Sequence, residues 1–519
     1  MFIAGIIKYG ERTWVLRSAS SGHFRDSLLP RPNPGLDYVE IIEKYGDILP
    51  GLNFAGYERC KFDPKIISDD EILDVARYFF RIFRRIYANL IFSFVEIQDS
   101  YGFFSELIEA KQAFKIIELE LGFLYDVLFT KASFVYSFMG IFLRSISFIS
   151  IVSAFVGFLI INKHGHSRVD LIISYVLVTG AIALEIYAVT LLLSSDWTML
   201  WLNKHKSRLP NPIYQAVSSL RLAINGKKRW SRSIALFNLI DFCLRDKHTK
   251  FSRIRDLFSI YEKLEKYLHI SPVDFSTDLQ KYIFKLIIEN CKNAEESPDQ
   301  LTKMCSWRGE EVLRKFRTYE TLGWSVEVDF DESILLWHIA TDLFYSNHKD
   351  AIPESKIAGK VLSDYMMYLL VMRPFMLPKG IGQIRFQDTV AAVRRVFQDS
   401  GLPSNSDEAR KILPKVDIRF GELVIKGNAC QSVLFEGCRL FELLESLKTE
   451  HGQESGWKWE MISNVWVEML CYAANQCGWN HHAQRLGRGG ELLTHVSLLM
   501  AHLGLTENLK SKRGAIQPL

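Results

Sequence analysis

Two apolar runs in close succession constrain this chain more than any other feature. Residues 145–162, SISFISIVSAFVGFLIIN, hold no charged side chain. With the preceding GIFLR they reach the roughly 20 residues an α-helix needs to cross ~30 Å of hydrocarbon. A short polar stretch follows, KHGHSRVD at 163–170, and then LIISYVLVTGAIALEIYAVTLLLSS at 171–195, whose one charge is Glu185. Hydrocarbon offers no water to backbone polar groups, so a spanning segment must satisfy them internally, as a helix does. The expectation is a transmembrane helical hairpin. The alternative is a pair of core helices in a soluble protein.

Basic residues near the ends of the runs set an orientation. The loop carries Lys163 and Arg168, whereas the other side carries Lys131, Arg144, Lys204, Lys206 and Arg208. This places both long flanks in the cytoplasm. Residues 197–240 include eight Lys or Arg and no acid, with GKKRWSR at their centre. Near an anionic leaflet each basic residue contributes ~1 kcal/mol, so anionic membrane lipids are expected partners; the alternative is a solvated basic face. Glu185 is the costliest residue of the hairpin, because a carboxylate mid-span costs roughly 2.5–3.5 kcal/mol on insertion scales. In an antiparallel hairpin Arg144 lies level with position 189, which leaves Glu185 ~6 Å away along the axis at the ordinary helical rise. An intramembrane pair of Arg144 with Glu185 is the expected arrangement. The other readings are an ion- or proton-coupled role and simple snorkelling.

The composition suits a mixed chain, part membrane and part water-facing: 519 residues, 48% hydrophobic, 13% aromatic. A net charge of +4 points to no nucleic-acid partner. Eight cysteines at 60, 243, 291, 305, 430, 438, 471 and 477 form no C-x-x-C pair, which suggests reduced thiols in a cytosolic setting. The opening MFIAGIIKYGERTW has too short an apolar stretch, and no basic residue before it, for a secretory signal. In RYFFRIFRRIYANLIFSF, Arg77, Arg81, Arg84 and Arg85 share one helical face, opposite Phe79, Phe83, Ile86 and Leu90. Such a helix either lies in the membrane interface or packs on another helix.

The remainder has helical period. DESILLWHIATDLFYS is apolar at 335, 336, 339, 340, 343 and 344, and WEMISNVWVEMLCYAANQC repeats the pattern. Breaks fall at 293–300, 398–414 and 448–456. No Walker loop, G-x-G-x-x-G, G-x-S-x-G or H-E-x-x-H occurs, so no cofactor is expected. The richest polar stretch is GGELLTHVSLLMAHLG at 489–504. On a helix at 100° per residue, Glu491, His495 and His502 share a face. His338 and Asp342 stand at i, i+4, and Glu468 and His482 add ligand-type groups. Carboxylates and imidazoles on facing helices can hold a transition metal. The spacings match no di-iron pattern, and a structural polar seam is the expected role. The glycines of LGRGG permit a tight turn, which puts Glu491 in the first turn of the next helix, where the macrodipole favours a carboxylate.

Several of these stretches carry a resemblance: KYGERTWVLRSAS, LIISYVLVTGAIALEIYA with SSDWT, SVEVDFDESILLWHIATDLFY, LSDYMMYLLVMRPFMLP, and WVEMLCYAANQC with HHAQRLGRGGELLTHVSLLMAHLG. Together the chain resembles plant membrane proteins that join domain-of-unknown-function family 4220 to family 594 at the C-terminus. The resemblance implies a multi-pass membrane protein and no assigned activity. It also implies further transmembrane helices before KYGERTW, so that MFIAGII reads as the last turns of one, and a tryptophan where Ser497 stands. Glu185, His338, Asp342, His482, Glu491, His495 and His502 fall within family motifs without a known role.

The chain is therefore expected to be mostly α, with a transmembrane helical hairpin and an α-helical cytoplasmic domain. The expected divisions are a stub of the membrane module at 1–60, an amphipathic region at 61–131, the hairpin at 132–196, a basic juxtamembrane region at 197–292, the helical domain at 300–507 and a disordered tail at 508–519. The expected function is a membrane-anchored scaffold or interaction module with unidentified protein partners. Transport through Glu185 is the runner-up, and a metal-dependent enzyme using the C-terminal Glu/His face is third.

Overall fold

The computed structural model describes residues 2–28, 60–65, 67–68, 71–88, 90, 92, 94–107, 109–160, 167–205, 210–225, 233–245, 266–294, 303–348, 353–401, 403–415, 423–425, 428–430, 432–447 and 456–506. Lys163, Lys206, Arg208, GKKRWSR at 226–232 and the tail at 508–519 lie outside the described residues. The fold is mostly α, and the chain divides into two compact units, one of residues 1–99 and 115–230, the other of 100–114 and 231–519. The second unit thus begins well before residue 300, because the described residues 233–245 and 266–294 belong to it.

In the first unit the helices are α1 (Phe2–Ser18), α2 (Ser21–Leu28), α3 (Glu71–Phe83), the N-terminal end of α4 (Phe94–Glu106), most of α5 (Ala110–Phe129), α6 (Ala132–Val135), α7 (Phe138–Ile160), α8 (Arg168–Leu193), α9 (Asp196–Lys204) and α10 (Asn211–Asn225). Serines start three of them. Ser137 Oγ accepts from the Gly140 N–H at 3.1 Å, Ser167 Oγ from Val169 at 3.3 Å and Ser195 Oγ from Trp197 at 3.3 Å. Each satisfies a donor that a helix start leaves unpaired. The arginine-rich helix settles between its two readings here. It stops being α-helical at Phe83 and continues as a 3₁₀ turn, Arg84–Ala88. Phe79, Phe80, Phe83 and Ile86 are buried against other side chains of the unit, with Phe80 packed on Phe123 and Trp197. Its apolar face is covered by protein.

Helices α7 and α8 behave differently. They are 23 and 26 residues long, with mean hydropathy 2.0 and 2.2 over their most apolar stretches, and only 11% of each stretch is buried. Phe142, Ile149, Val156, Ile172, Val176, Leu184 and Ile186 face outward. By length and composition, both are candidate membrane spans.

The second unit is a helical bundle around α16 (Phe330–Asn347), α17 (Glu354–Met372), α21 (Gly456–Gln476) and α23 (Leu492–His502). In chain order its other elements are β1 (Ser233–Leu236), α11 (Leu239–Arg245), β2 (Ser271–Asp274), α12 (Thr277–Ala294), α13 (Glu310–Lys315), α14 (Tyr319–Leu322), α15 (Trp324–Glu327), α18 (Gly382–Asp399), α19 (Ser406–Ile412), β3 (Leu423–Ile425), β4 (Asn428–Cys430), α20 (Val433–Ser446) and α22 (Trp479–Leu486). Strands β1 and β2 pair antiparallel, Ser233 with Asp274, and β3 pairs with β4. Helix α16 packs on α17 and α20, and α21 packs on α17 and α23. Gly359 lets α17 approach α21 closely, since a Cβ there would lie 2.7 Å from Ser463 Oγ.

The sequence pattern reads α16 and α21 as amphipathic. In the structure they are enclosed on nearly all sides: Trp337, His338, Thr341, Asp342 and Trp466 are all 0% exposed. A polar group buried without a partner costs free energy, so the polar positions of these helices must pair with one another. Trp466 Nε1 donates to Thr341 Oγ1 at 3.0 Å, and Trp337 Nε1 to Ser325 Oγ at 3.1 Å.

Candidate functional sites

In the first unit the polar centre lies among α1, α7 and α8. Glu185 is 3% exposed although it sits within an outward-facing apolar helix. Its Oε1 lies 3.4 Å from Arg144 Nε. Its Oε2 accepts from Lys8 Nζ at 2.9 Å. The antiparallel register placed Arg144 within reach. Lys8 was not anticipated, and the only sequence sign was a lysine closing the apolar run MFIAGII. Two cations face one carboxylate, so the cluster holds one net positive charge, with Lys8 half exposed. Gly140 permits the tight connection from α6 that sets α7 in place, since a Cβ at that position would fall 2.0 Å from the Phe134 carbonyl oxygen.

In the second unit His338 and Asp342 come together, one turn apart on α16, in a network that draws on four helices. Asp342 lies 2.7 Å from Lys360 Nζ of α17, and its Oδ2 accepts from Arg410 Nε of α19 at 2.8 Å. Lys360 also donates to Asp364 at 2.6 Å, and Arg410 to Asp241 of α11 at 3.0 Å. The His338 ring is fixed at both nitrogens. Nε2 accepts from the Leu239 N–H at 3.2 Å, so the neutral ring carries its proton on Nδ1, 3.0 Å from Ser363 Oγ. Burial, reinforced by Lys360, pushes the His338 pKa down to about 3. Burial would raise the Asp342 carboxyl, but Lys360 and Arg410 hold it below the usual carboxylate range. Burial pushes Asp364 up to about 6 against the pull of Lys360. Lys360 and Asp364 stand at i, i+4 within an apolar stretch, a signal the sequence did carry. Arg410 and Asp241 carried none.

The remaining residues of the C-terminal polar face occupy separate settings. Glu491 is the residue before α23, in extended backbone, and its side chain does not cap the helix. Its Oε1 accepts instead from Arg485 at 2.7 Å, Tyr368 at 3.1 Å and Arg373 at 3.3 Å. These partners, and not the macrodipole, explain the glutamate. His495 Nδ1 lies 3.1 Å from the Glu491 backbone oxygen, His482 Nδ1 3.1 Å from Thr494 Oγ1, and His502 Nδ1 2.7 Å from Ser100 Oγ. His502 also stacks on Phe104 at 4.3 Å. Burial lowers the pKa of His482 to about 4 and holds that of His502 well below its ordinary value. Glu468 accepts from the Gly309 N–H at 3.0 Å. Burial pushes its carboxyl up to about 8, against the N–H groups of Val312 and Gly309. Ser497 donates to the Ala474 carbonyl at 3.0 Å. Among the described residues, no three of His, Cys, Asp and Glu gather into a group that could hold a metal ion.

Comparison with family models meets this architecture at both ends. Residues 1–243 match a domain of unknown function, DUF4220, and residues 451–505 match a protein of unknown function, DUF594. The chain carries a DUF4220 segment followed by a DUF594 segment. The first match takes in α1, α7 and α8 with the Lys8–Arg144–Glu185 cluster; the second takes in α21 to α23 with Glu468, His482, Glu491, His495 and His502. Neither description assigns an activity. No curated protein and no solved structure matches the chain.

Proposed function

We propose that this is a multi-pass membrane protein whose helical C-terminal unit acts as a membrane-anchored scaffold or interaction module, with its long flanks in the cytoplasm. The observation that carries the reading is the outward apolar surface of α7 and α8. A soluble protein buries helices this apolar, because exposed hydrocarbon costs about 25 cal/mol per Å², yet Ile149, Ile172, Val176, Leu177 and Leu184 are each half or more exposed. Lipid removes that cost. The excess of basic residues on the flanks supports their cytoplasmic placement. The scaffold role is supported by the second unit, where the chemistry-bearing side chains are engaged in internal pairs that tie helices together. Transport and metal-dependent catalysis draw no support of their own from the geometry: Glu185 is matched by Arg144 and Lys8, and the imidazoles lie in separate settings.

Two measurements test it. Alkaline carbonate should leave the full chain in the membrane pellet, and release into the supernatant would end the reading. A glycosylation acceptor inserted between 163 and 166 should be modified, and acceptors inserted at 208 and 298 should not. The reverse pattern would invert the topology.

A further inference from the structure

Beside the Lys8–Arg144–Glu185 cluster lies a cavity of about 520 Å³, open on one side. The volume falls within the roughly 300–1,000 Å³ of ligand pockets. Its walls are mostly apolar, with Ile141, Phe148, Val189 and Leu192 among them, and Arg144 and Glu185 supply its charged end. From Ile141 to Ile149, both on the cavity wall, is about 12 Å of helix at the ordinary rise. The cavity is therefore elongated along the spans. The charged lining residues, Arg144 and Glu185, balance, and Lys8 beside the cavity adds a second cation to the same carboxylate. The Arg144 Nε is buried beside Glu185, while the side chain as a whole is 23% exposed and lines the cavity. A guanidinium on a cavity wall binds phosphate oxygens well. An apolar trough with a guanidinium on its wall and a second cation close by fits an amphiphile with an anionic head.

We propose that this cavity is a binding site for an anionic phospholipid, with an acyl chain along α7 and α8 and the head-group phosphate on Arg144. The site rests on the membrane reading above, since only a chain in a bilayer meets such a ligand at that depth. Glu185 is a positioning residue, holding Arg144 on the wall of the trough and Lys8 beside it. The lipid completes the charge match that Glu185 leaves half made.

The test uses the full chain in phosphatidylcholine nanodiscs doped with a diazirine-tagged acyl probe. One arm carries phosphatidic acid as the head group, the other phosphatidylcholine. Mass spectrometry locates the adducts. Labelling at Phe148, Val189 or Leu192 should be about fivefold stronger with the phosphatidic acid probe, and unlabelled phosphatidic acid should compete while free inorganic phosphate should not. Arg144→Gln should bring the two probes level, Arg144→Lys should keep most of the preference, and Val189→Trp, which fills the trough, should remove the adducts from its walls. Equal labelling by both probes in the parent chain would overturn the proposal, as would a preference unchanged in Arg144→Gln or adducts undiminished in Val189→Trp. Competition by free phosphate alone would also overturn it, by showing an anion site without a lipid. If Arg144→Gln fails to fold, the Lys and Trp variants still decide. A chain that stays in the carbonate pellet without the preference sinks only this proposal; a chain released from the membrane sinks both.

Discussion

Helices α8 and α23 have similar local character and opposite surroundings. Arg168–Leu193 has apolar side chains all round and is almost bare. Leu492–His502 is equally apolar between its histidines and every one of its residues is buried. Length separates them. Eleven residues, about 16 Å at the helical rise, are too short to span a bilayer but short enough for neighbouring helices to enclose. Twenty-six residues exceed what α1 and α7 can cover. Their polar residues follow suit. Glu185 meets cations from two neighbouring helices of a thin cluster, whereas Asp342 and Glu491 of the second unit are each enclosed and held by two or more side chains.

The largest test of this contrast is truncation of side chains in the two settings. Trp466→Ala should destabilise the chain by about 3–5 kcal/mol, as removal of a large core side chain does. Leu184→Ala, on the bare face of α8, should stay within about 0.5 kcal/mol in detergent. Chemical unfolding followed by fluorescence reads both, and comparable losses would break the contrast.

Charge removal comes next. Asp342→Ala strands Lys360 and Arg410 and should cost about 3–5 kcal/mol, the usual effect of breaking a buried pair. Glu185→Gln keeps the shape and leaves Lys8 half exposed, so about 1–3 kcal/mol is expected. A larger loss from Glu185→Gln would place the tighter ionic centre in the first unit.

Acid should act on the second unit first. His338, His482 and His502 have folded pKa values below the unfolded 6.5, so the stability they contribute is complete above pH 6.5 and is lost as pH falls. Each loses about 1.4 kcal/mol per pH unit. Asp364 and Glu468 act in the opposite sense, because their raised carboxyls contribute stability at low pH that is lost as pH rises through about 6 and about 8. Between pH 6 and 4.5 the raised carboxyls therefore offset part of the histidines' loss. Glu468→Gln should steepen it by about 1.4 kcal/mol per pH unit. An unchanged slope in a pH series of unfolding curves would show that Glu468 is not held protonated.

The last pair contrasts two glycines, and the smallest effect belongs to Gly180. Gly359→Val should cost about 1–3 kcal/mol by forcing α17 from α21. Gly180→Ala in α8, where a Cβ meets nothing within 4 Å, should be neutral or stabilising by up to about 1 kcal/mol through helix propensity. Thermal unfolding of the two variants side by side distinguishes them.

Much of this was readable in the residues. Helical period marked α16, α21 and α23, and unbroken apolar length marked α7 and α8. Antiparallel arithmetic brought Arg144 near Glu185. The pairings of the second unit were not readable. A helical wheel placed Glu491, His495 and His502 on one face, yet Glu491 stands outside the helix and faces Arg485 and Arg373. The four-residue strands β1 and β2 were too short to show a period. The arginines at 77–85 looked equally suited to lipid and to protein, because amphipathicity says that a face is covered and not by what.

The sequence by itself determined most of the helical segments and which two are long and apolar enough to cross a membrane, because period and hydropathy act between residues a few positions apart. Only the tertiary structure decided which charge meets which. Asp241 and Arg410 are separated by 169 positions and Ser100 and His502 by 402. No local preference reaches that far, and such pairs exist only once packing of the apolar faces has brought the helices together.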